Sequence, residues 1–191
     1  MRPTDPLAQH ADHDIAVLPA DLTPADAKAL LTGTGVVVAD DGGVLGTVTA
    51  ADLADADADA EILADLRGLP SVIAVDADLT LVDLINSPAV TLLLLGIPRL
   101  VLLRARTPVA VLAVSRLTDY LASGEHPLPD NEMGPMGASA DSALPGRVRL
   151  PRAQVACAEC GHRNALDHWN PRRPPRCANP EGPAHDLTLE G

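Results

Sequence analysis

Cys157, Cys160 and Cys177 are all the thiols in the 191-residue chain, and they fall in its last fifth. In Cys157-Ala158-Glu159-Cys160-Gly161 two residues separate the first pair. That spacing lets two thiolates grip one cation, while a glycine frees the backbone to point N–H groups at sulfur. Cys177 is the third thiolate. A tetrahedral site needs a fourth ligand, for which His162, His168 and His185 compete. His162 follows Cys160 too closely to reach round, and His168 sits mid-loop beside Trp169. His185 follows Cys177 across Asn179-Pro180-Glu181-Gly182-Pro183, turn residues that can bring it back, so it is the expected ligand. Four protein ligands leave no open position for water, which makes the expected metal structural. A segment this poor in apolar residues needs such a staple, because metal binding can contribute on the order of 10 kcal/mol.

A second constellation is Thr49 and Asp52. Thr49 ends an apolar run, and Ala50-Ala51-Asp52-Leu53 begins a helix-like one. A hydroxyl and a carboxylate three positions apart at such a corner can cap the helix, or can meet a ligand's phosphate and diol beside the free N–H groups of a helix start. Spacing alone supports both readings.

The elements that would position this corner are legible. Val36-Val37-Val38 reads as a buried strand, Asp40-Asp41-Gly42-Gly43 as a tight turn with positive-φ positions, and Val44–Val48 as the returning strand. Upstream, Thr23 caps a helix with Pro24 at its first position. Downstream, residues 52–67 read as a long acidic helix with Asp55, Asp57 and Asp59 facing water. The run from Val38 to Leu53, VADDGGVLGTVTAADL, resembles the most recognisable segment of a CBS domain, the regulatory module of cystathionine β-synthase type. The resemblance implies an α/β fold of β-α-β-β-α units working in pairs, which often bind adenosyl compounds such as AMP in the clefts between units. It further implies nucleotide contacts at Thr49, Asp52, Val36 and Val38, and at Ser115 in a second copy of the motif.

A repeat supports the pairing. Asp78-Leu79-Thr80-Leu81-Val82-Asp83 echoes Asp21-Leu22-Thr23-Pro24-Ala25-Asp26, and Leu100–Leu103 echoes the strand at Val36. Laying the second motif on the first puts Ser115 at the place of Thr49, Leu112 at that of Gly46 and Thr118 at that of Asp52, so the second motif reads as degenerate. No Lys or Arg lies in Gly33-Thr34-Gly35, which favours an adenosine-like or singly phosphorylated ligand over ATP.

These readings divide the chain into a flexible arm (1–14), a first CBS-like repeat (15–68), a second (69–122), a Pro/Gly-rich linker (123–152) and a tail (153–191) that resembles a zinc ribbon with Cys3His ligation. Apolar residues make up 47% of the chain, enough for a core, but aromatics only 1%, so that core is aliphatic. A net charge of −12 repels a phosphate backbone, and nucleic acid is not an expected partner. Seven of the 14 basic residues lie between Arg147 and Arg176, so a basic tail accompanies an acidic paired module. The N-terminus has no apolar leader, and Ala89–Ile97 is too short to span a bilayer, so the expected location is the cytoplasm. No nucleophile with its base and no GxxxxGK[ST] loop is present. The expected function is regulatory and non-catalytic: ligand sensing in the CBS pair, a homodimer through those modules, and output to an unidentified protein partner. The alternative is a ligand-free scaffold with a zinc tail.

Overall fold

The computed structural model describes residues 4–54, 60–66, 69–86, 88–122 and 152–189. Its fold is α/β, built from two β-α-β-β-α units and a C-terminal segment carrying the Cys/His cluster.

The first unit runs β1 (Ile15–Pro19), α1 (Pro24–Leu30), β2 (Thr34–Val38), β3 (Val44–Val48) and α2 (Ala50–Ala54). Strand β1 pairs parallel with β2, which pairs antiparallel with β3. Parallel pairing requires a crossover, and α1 supplies it. Helix α1 starts where Thr23 accepts a hydrogen bond from the Asp26 N–H and Pro24 occupies the first turn. The turn between β2 and β3 uses Gly42 at φ 79°, with Gly43 N–H bonded to the Asp41 carboxylate at 2.8 Å. The expected long acidic helix does not extend through residues 60–66. Leu63–Asp65 is a short 3-10 turn whose Leu63 is buried, and residues 55–59, including the three aspartates, lie outside the described residues.

The second unit repeats this order with β4 (Val72–Asp76), α3 (Leu81–Asn86), β5 (Arg99–Arg104), β6 (Thr107–Ala113) and α4 (Val114–Ala122). Between α3 and β5 the very apolar segment forms a 3-10 run, Pro88–Leu95, and Leu92 and Ile97 are buried in the second unit's core. The apolarity of Leu92 and Ile97 therefore serves packing. Val36 and Val44 of the first unit meet Val72, Val101 and Val111 of the second in an all-valine seam. β-Branched side chains suit such a seam because their stiff χ1 angles cost little entropy on packing.

Two expectations about the chain's ends change. The N-terminal arm is docked, not loose: Leu7 is 0% exposed in the second unit's core, Leu7 N–H bonds to Leu79 O at 2.8 Å, and Asp12 bridges to Val111. A buried leucine removes enough apolar surface to hold a short arm, worth about 2 kcal/mol. The tail is equally integrated. Strand β7 (Arg152–Ala156) starts inside what reads as linker and pairs antiparallel with β4, and β8 (Arg163–Leu166) pairs with β7. The second sheet is thus five-stranded, in the order β6-β5-β4-β7-β8. Residues 123–151 of the linker lie outside the described residues. No helix among the described residues is long and apolar enough to cross a membrane.

Candidate functional site

The turn between β7 and β8 carries Cys157 and Cys160. Gly161, at φ 72°, lets the chain reverse so that its N–H reaches Cys157 O at 2.7 Å and the Cys157 N–H reaches His162 O at 2.9 Å. The following loops return Cys177 and His185 to the same place, with the Cys177 N–H on His185 O at 3.0 Å. One ligand atom from each of Cys157, Cys160, Cys177 and His185 lies within 4.8 Å of all the others. Cys160 Sγ and Cys177 Sγ are 3.6 Å apart, and Cys157 Sγ and His185 Nε2 are 3.3 Å apart. Metal–sulfur bonds of about 2.3 Å make tetrahedral edges of about 3.8 Å, so these spacings fit a four-coordinate ion.

The surroundings fit one as well. His185 Nδ1 lies 2.8 Å from Pro183 O, so the ring's N–H is spent on a carbonyl and Nε2 is left facing the sulfurs. The Asn164 amide donates to Cys177 Sγ at 3.6 Å. Burial works to raise the Cys157 pKa, but N–H groups of Thr188, Cys160 and Glu159 together with the His185 ring bring it down to about 5. The Pro183 carbonyl and the Cys157 sulfur raise His185 to about 9. Donors gathered round a thiolate are what a metal-bound sulfur needs. The other two candidate histidines, His162 and His168, are not part of the cluster, and His168 Nδ1 contacts the Asp167 carboxylate at 2.6 Å.

At the Thr49 corner the side chains bond one another. Thr49 Oγ1 donates to Asp52 Oδ2 at 2.8 Å, the Thr49 N–H reaches the same oxygen at 2.6 Å, and the Asp52 N–H reaches Thr49 Oγ1 at 3.3 Å. This is a capping box. Thr80 and Asp83 form the same three bonds at the start of α3, and Thr23 and Asp26 share two of them at the start of α1. Val36 is fully buried in the valine seam, with Val38 packed partly buried beside it.

The second corner is displaced from where laying one motif on the other puts it. Val36 pairs with Thr47, and Val101 pairs with Val111. These registers place Ala113 at the position of Thr49, Arg116 at that of Asp52 and Ala110 at that of Gly46, and they match the buried Leu53 to the buried Leu117. Ser115 is therefore inside α4, exposed, with its carbonyl accepting from Thr118 Oγ1. The hairpin turn contributes. In the first unit the paired residues Val38 and Val44 leave five residues between them, and in the second the matching pair, Leu103 and Pro108, leaves four, so every later residue moves by one.

A cavity of about 750 Å³ lies where the two units and the tail converge. The first unit contributes the hairpin turn 41–44, the second contributes 74–76 with Leu103 and Arg106, and the tail contributes Arg152, Gln154 and Asp167. Thr49, Asp52, Val36, Val38 and Ser115 do not line it. Ala105 and Arg106 hold φ of 50° and 76°, the left-handed pair that a two-residue hairpin turn demands and that non-glycine residues resist. Two further arginines tie the units together. Arg99 Nη1 donates to the buried Thr47 hydroxyl at 3.2 Å, and Arg163 Nη1 donates to Leu45 O at 2.8 Å. Burial lowers the Arg163 pKa. Sequence reasoning passed over Arg163 and Arg152; the signal available was a charged residue opening an otherwise apolar strand.

Residues 8–59 match the CBS domain family model. The match covers the first unit and part of the docked arm, and the second unit continues the CBS-type strand and helix order beyond it. No curated protein matches the chain. Among solved structures the chain is similar to an uncharacterized conserved protein from Pyrococcus horikoshii, at 17% identity and a TM-score of 0.43, covering 66% of this chain and 97% of that one. It is also similar to a hemolysin-like protein containing a CBS domain from Oenococcus oeni PSU, at 16% identity and 0.43 (61% and 90%). A third is CBSX2, solved in complex with AMP, at 18% identity and 0.42 (62% and 97%).

Proposed function

We propose that the protein is a regulatory sensor that binds a small adenosine-type nucleotide between its CBS repeats and signals to a separate protein. The observation that carries this reading is the cavity at the junction of the two repeats, whose volume of about 750 Å³ falls in the range of small-molecule sites. Arg106 and Arg152 offer guanidinium groups to a phosphate, and Asp76 and Asp41 offer acceptors to ribose hydroxyls. Three carboxylates against two arginines suit one phosphate better than three, so AMP is the expected ligand ahead of ATP. The tail's cluster is read as a structural zinc site, since three thiolates and an imidazole select that ion and close its coordination shell. Cytoplasmic location and a homodimer through the CBS modules belong to the same reading. Calorimetry with AMP, ADP, ATP and S-adenosylmethionine tests it. Heat with AMP, lost in Arg106→Ala, is the expected result, and silence with all four ligands overturns sensing.

A second reading is a ligand-free scaffold. It is favoured by the Thr49–Asp52 box, whose hydrogen bonds serve the helix start as those of Thr80–Asp83 do. A stable dimer by light scattering together with silent calorimetry would select it.

A further inference from the structure

We infer that a metal ion in the Cys157–Cys160–Cys177–His185 cluster clamps the tail across both repeats, so that metal occupancy governs one wall of the inter-repeat cavity. Its ligand arm rests on the sensing reading above, but the clamp itself does not.

The cluster is continuous with the second repeat's core. Ala153 and Val155 of β7, the buried Cys157 directly after it, Leu166 at the end of β8 and Leu187 beyond His185 all belong to the cluster of side chains that includes Ile73, Val75 and Leu100. Cys157 and Cys160 occupy the β7–β8 turn, so an ion there fixes the hairpin that β4 accepts as its outer neighbours. That hairpin does two further things. Its first β8 residue, Arg163, bonds to Leu45 O in the first repeat, and its Arg152 and Gln154, with Asp167 just past β8, face the cavity.

Beyond β8 the described residues form no further strand: the tail is held there by the Arg176–Asp186 bridge, by backbone bonds such as Leu187 N–H to Pro175 O and Ala158 N–H to Thr188 O, by the Trp169 N–H on Thr91 Oγ1 at 3.0 Å and the Ala178 N–H on Asn164 Oδ1 at 2.7 Å, and by the buried Leu187. Irregular loops that bring three thiols and an imidazole together gain order from a shared ion, so metal binding and hairpin order form one equilibrium. A ligand that touches Arg152 in the ordered tail then favours metal binding, and the metal favours ligand binding by the same factor.

The test compares full-length protein loaded with zinc, stripped by chelator, and re-loaded, with Cys177→Ser as a fourth sample. Elemental analysis of the loaded protein should give about one zinc per chain; a value near zero overturns the inference. Amide exchange should quicken at least tenfold in residues 72–76 and 152–156 on stripping, recover on re-loading and stay fast in Cys177→Ser, while residues 15–19 and 34–38 keep their protection. Unchanged protection of 72–76, or loss spread evenly over the chain, overturns the clamp. AMP calorimetry on the same samples should show at least tenfold weaker binding without zinc, and equal affinity overturns the coupling. Absence of AMP heat from the zinc-loaded protein instead counts against the nucleotide reading, and the exchange result then decides the clamp by itself.

Discussion

Arg163 Nη1 and the carbonyl oxygen of Leu45, 118 positions apart, lie 2.8 Å from one another and join the tail to the first repeat. A guanidinium stays protonated at neutral pH even where burial lowers its pKa, so this is a charge-assisted bond. Arg163→Met keeps much of the aliphatic stem and removes the donor. The expected cost is about 1.5 kcal/mol, the lower end for bonds to charged groups because the site is only partly buried. Urea unfolding reads it as a lower midpoint, and an unmoved midpoint would mean that the bond contributes nothing net.

The Thr–Asp boxes supply an internal control for ligand binding. Thr49–Asp52 and Thr80–Asp83 share the same three hydrogen bonds, so each double alanine variant should lose about 1 kcal/mol of stability through its helix cap. If the first corner also meets nucleotide, as the CBS resemblance implies, Thr49→Ala, Asp52→Ala abolishes AMP heat and Thr80→Ala, Asp83→Ala does not. Matched stability losses with binding retained in both would assign Thr49 and Asp52 to capping alone.

Gly46 lies in the stretch that carries the CBS resemblance, and close packing accounts for it. A Cβ there would stand 2.5 Å from Leu69 Cγ and 2.9 Å from Pro70 O, and the carbonyl cannot swing aside as a side-chain tip can. Gly46→Ala is therefore expected to destabilise by about 1–3 kcal/mol through overpacking. Gly42 is the contrasting case, because a Cβ there meets nothing within 4 Å and only its φ of 79° resists substitution, so Gly42→Ala should cost about 1 kcal/mol. Denaturant midpoints of the pair check the order; equal losses would sink the packing account.

What the sequence made legible follows from how local each feature is. The Thr23–Pro24 helix start, the Gly42 turn and the two-residue spacing of Cys157 and Cys160 are written within a few residues, and the fold has each of them. The return of His185 was readable from the turn residues after Cys177. The register of the second corner was not: a hairpin one residue shorter than its counterpart shifts later residues against the first copy, the degenerate motif offers no marker to correct for it, and only strand pairing puts Ala113 at the place of Thr49. Nor was the docking of the tail. Ala153 and Val155 alternate over too short a span to announce a strand, and their partner β4 lies some 80 residues upstream.

The N-terminal arm misled for a related reason: its polar composition hides a single anchor. Leu7 is fully enclosed by the second repeat's core, and Pro6 bridges to Thr80 at the entrance to α3. The arm therefore reaches past the first repeat to close the second, and its removal should loosen the second core rather than the first. Leu7→Ala is expected to cost about 2–5 kcal/mol, the range for emptying a buried leucine site. Amide exchange should then quicken in residues 81–86, where α3 packs Leu81 and Leu84 into the same core, before it does in β1 or β2. Equal quickening in both repeats would instead mean that the arm acts on the whole paired module through the valine seam.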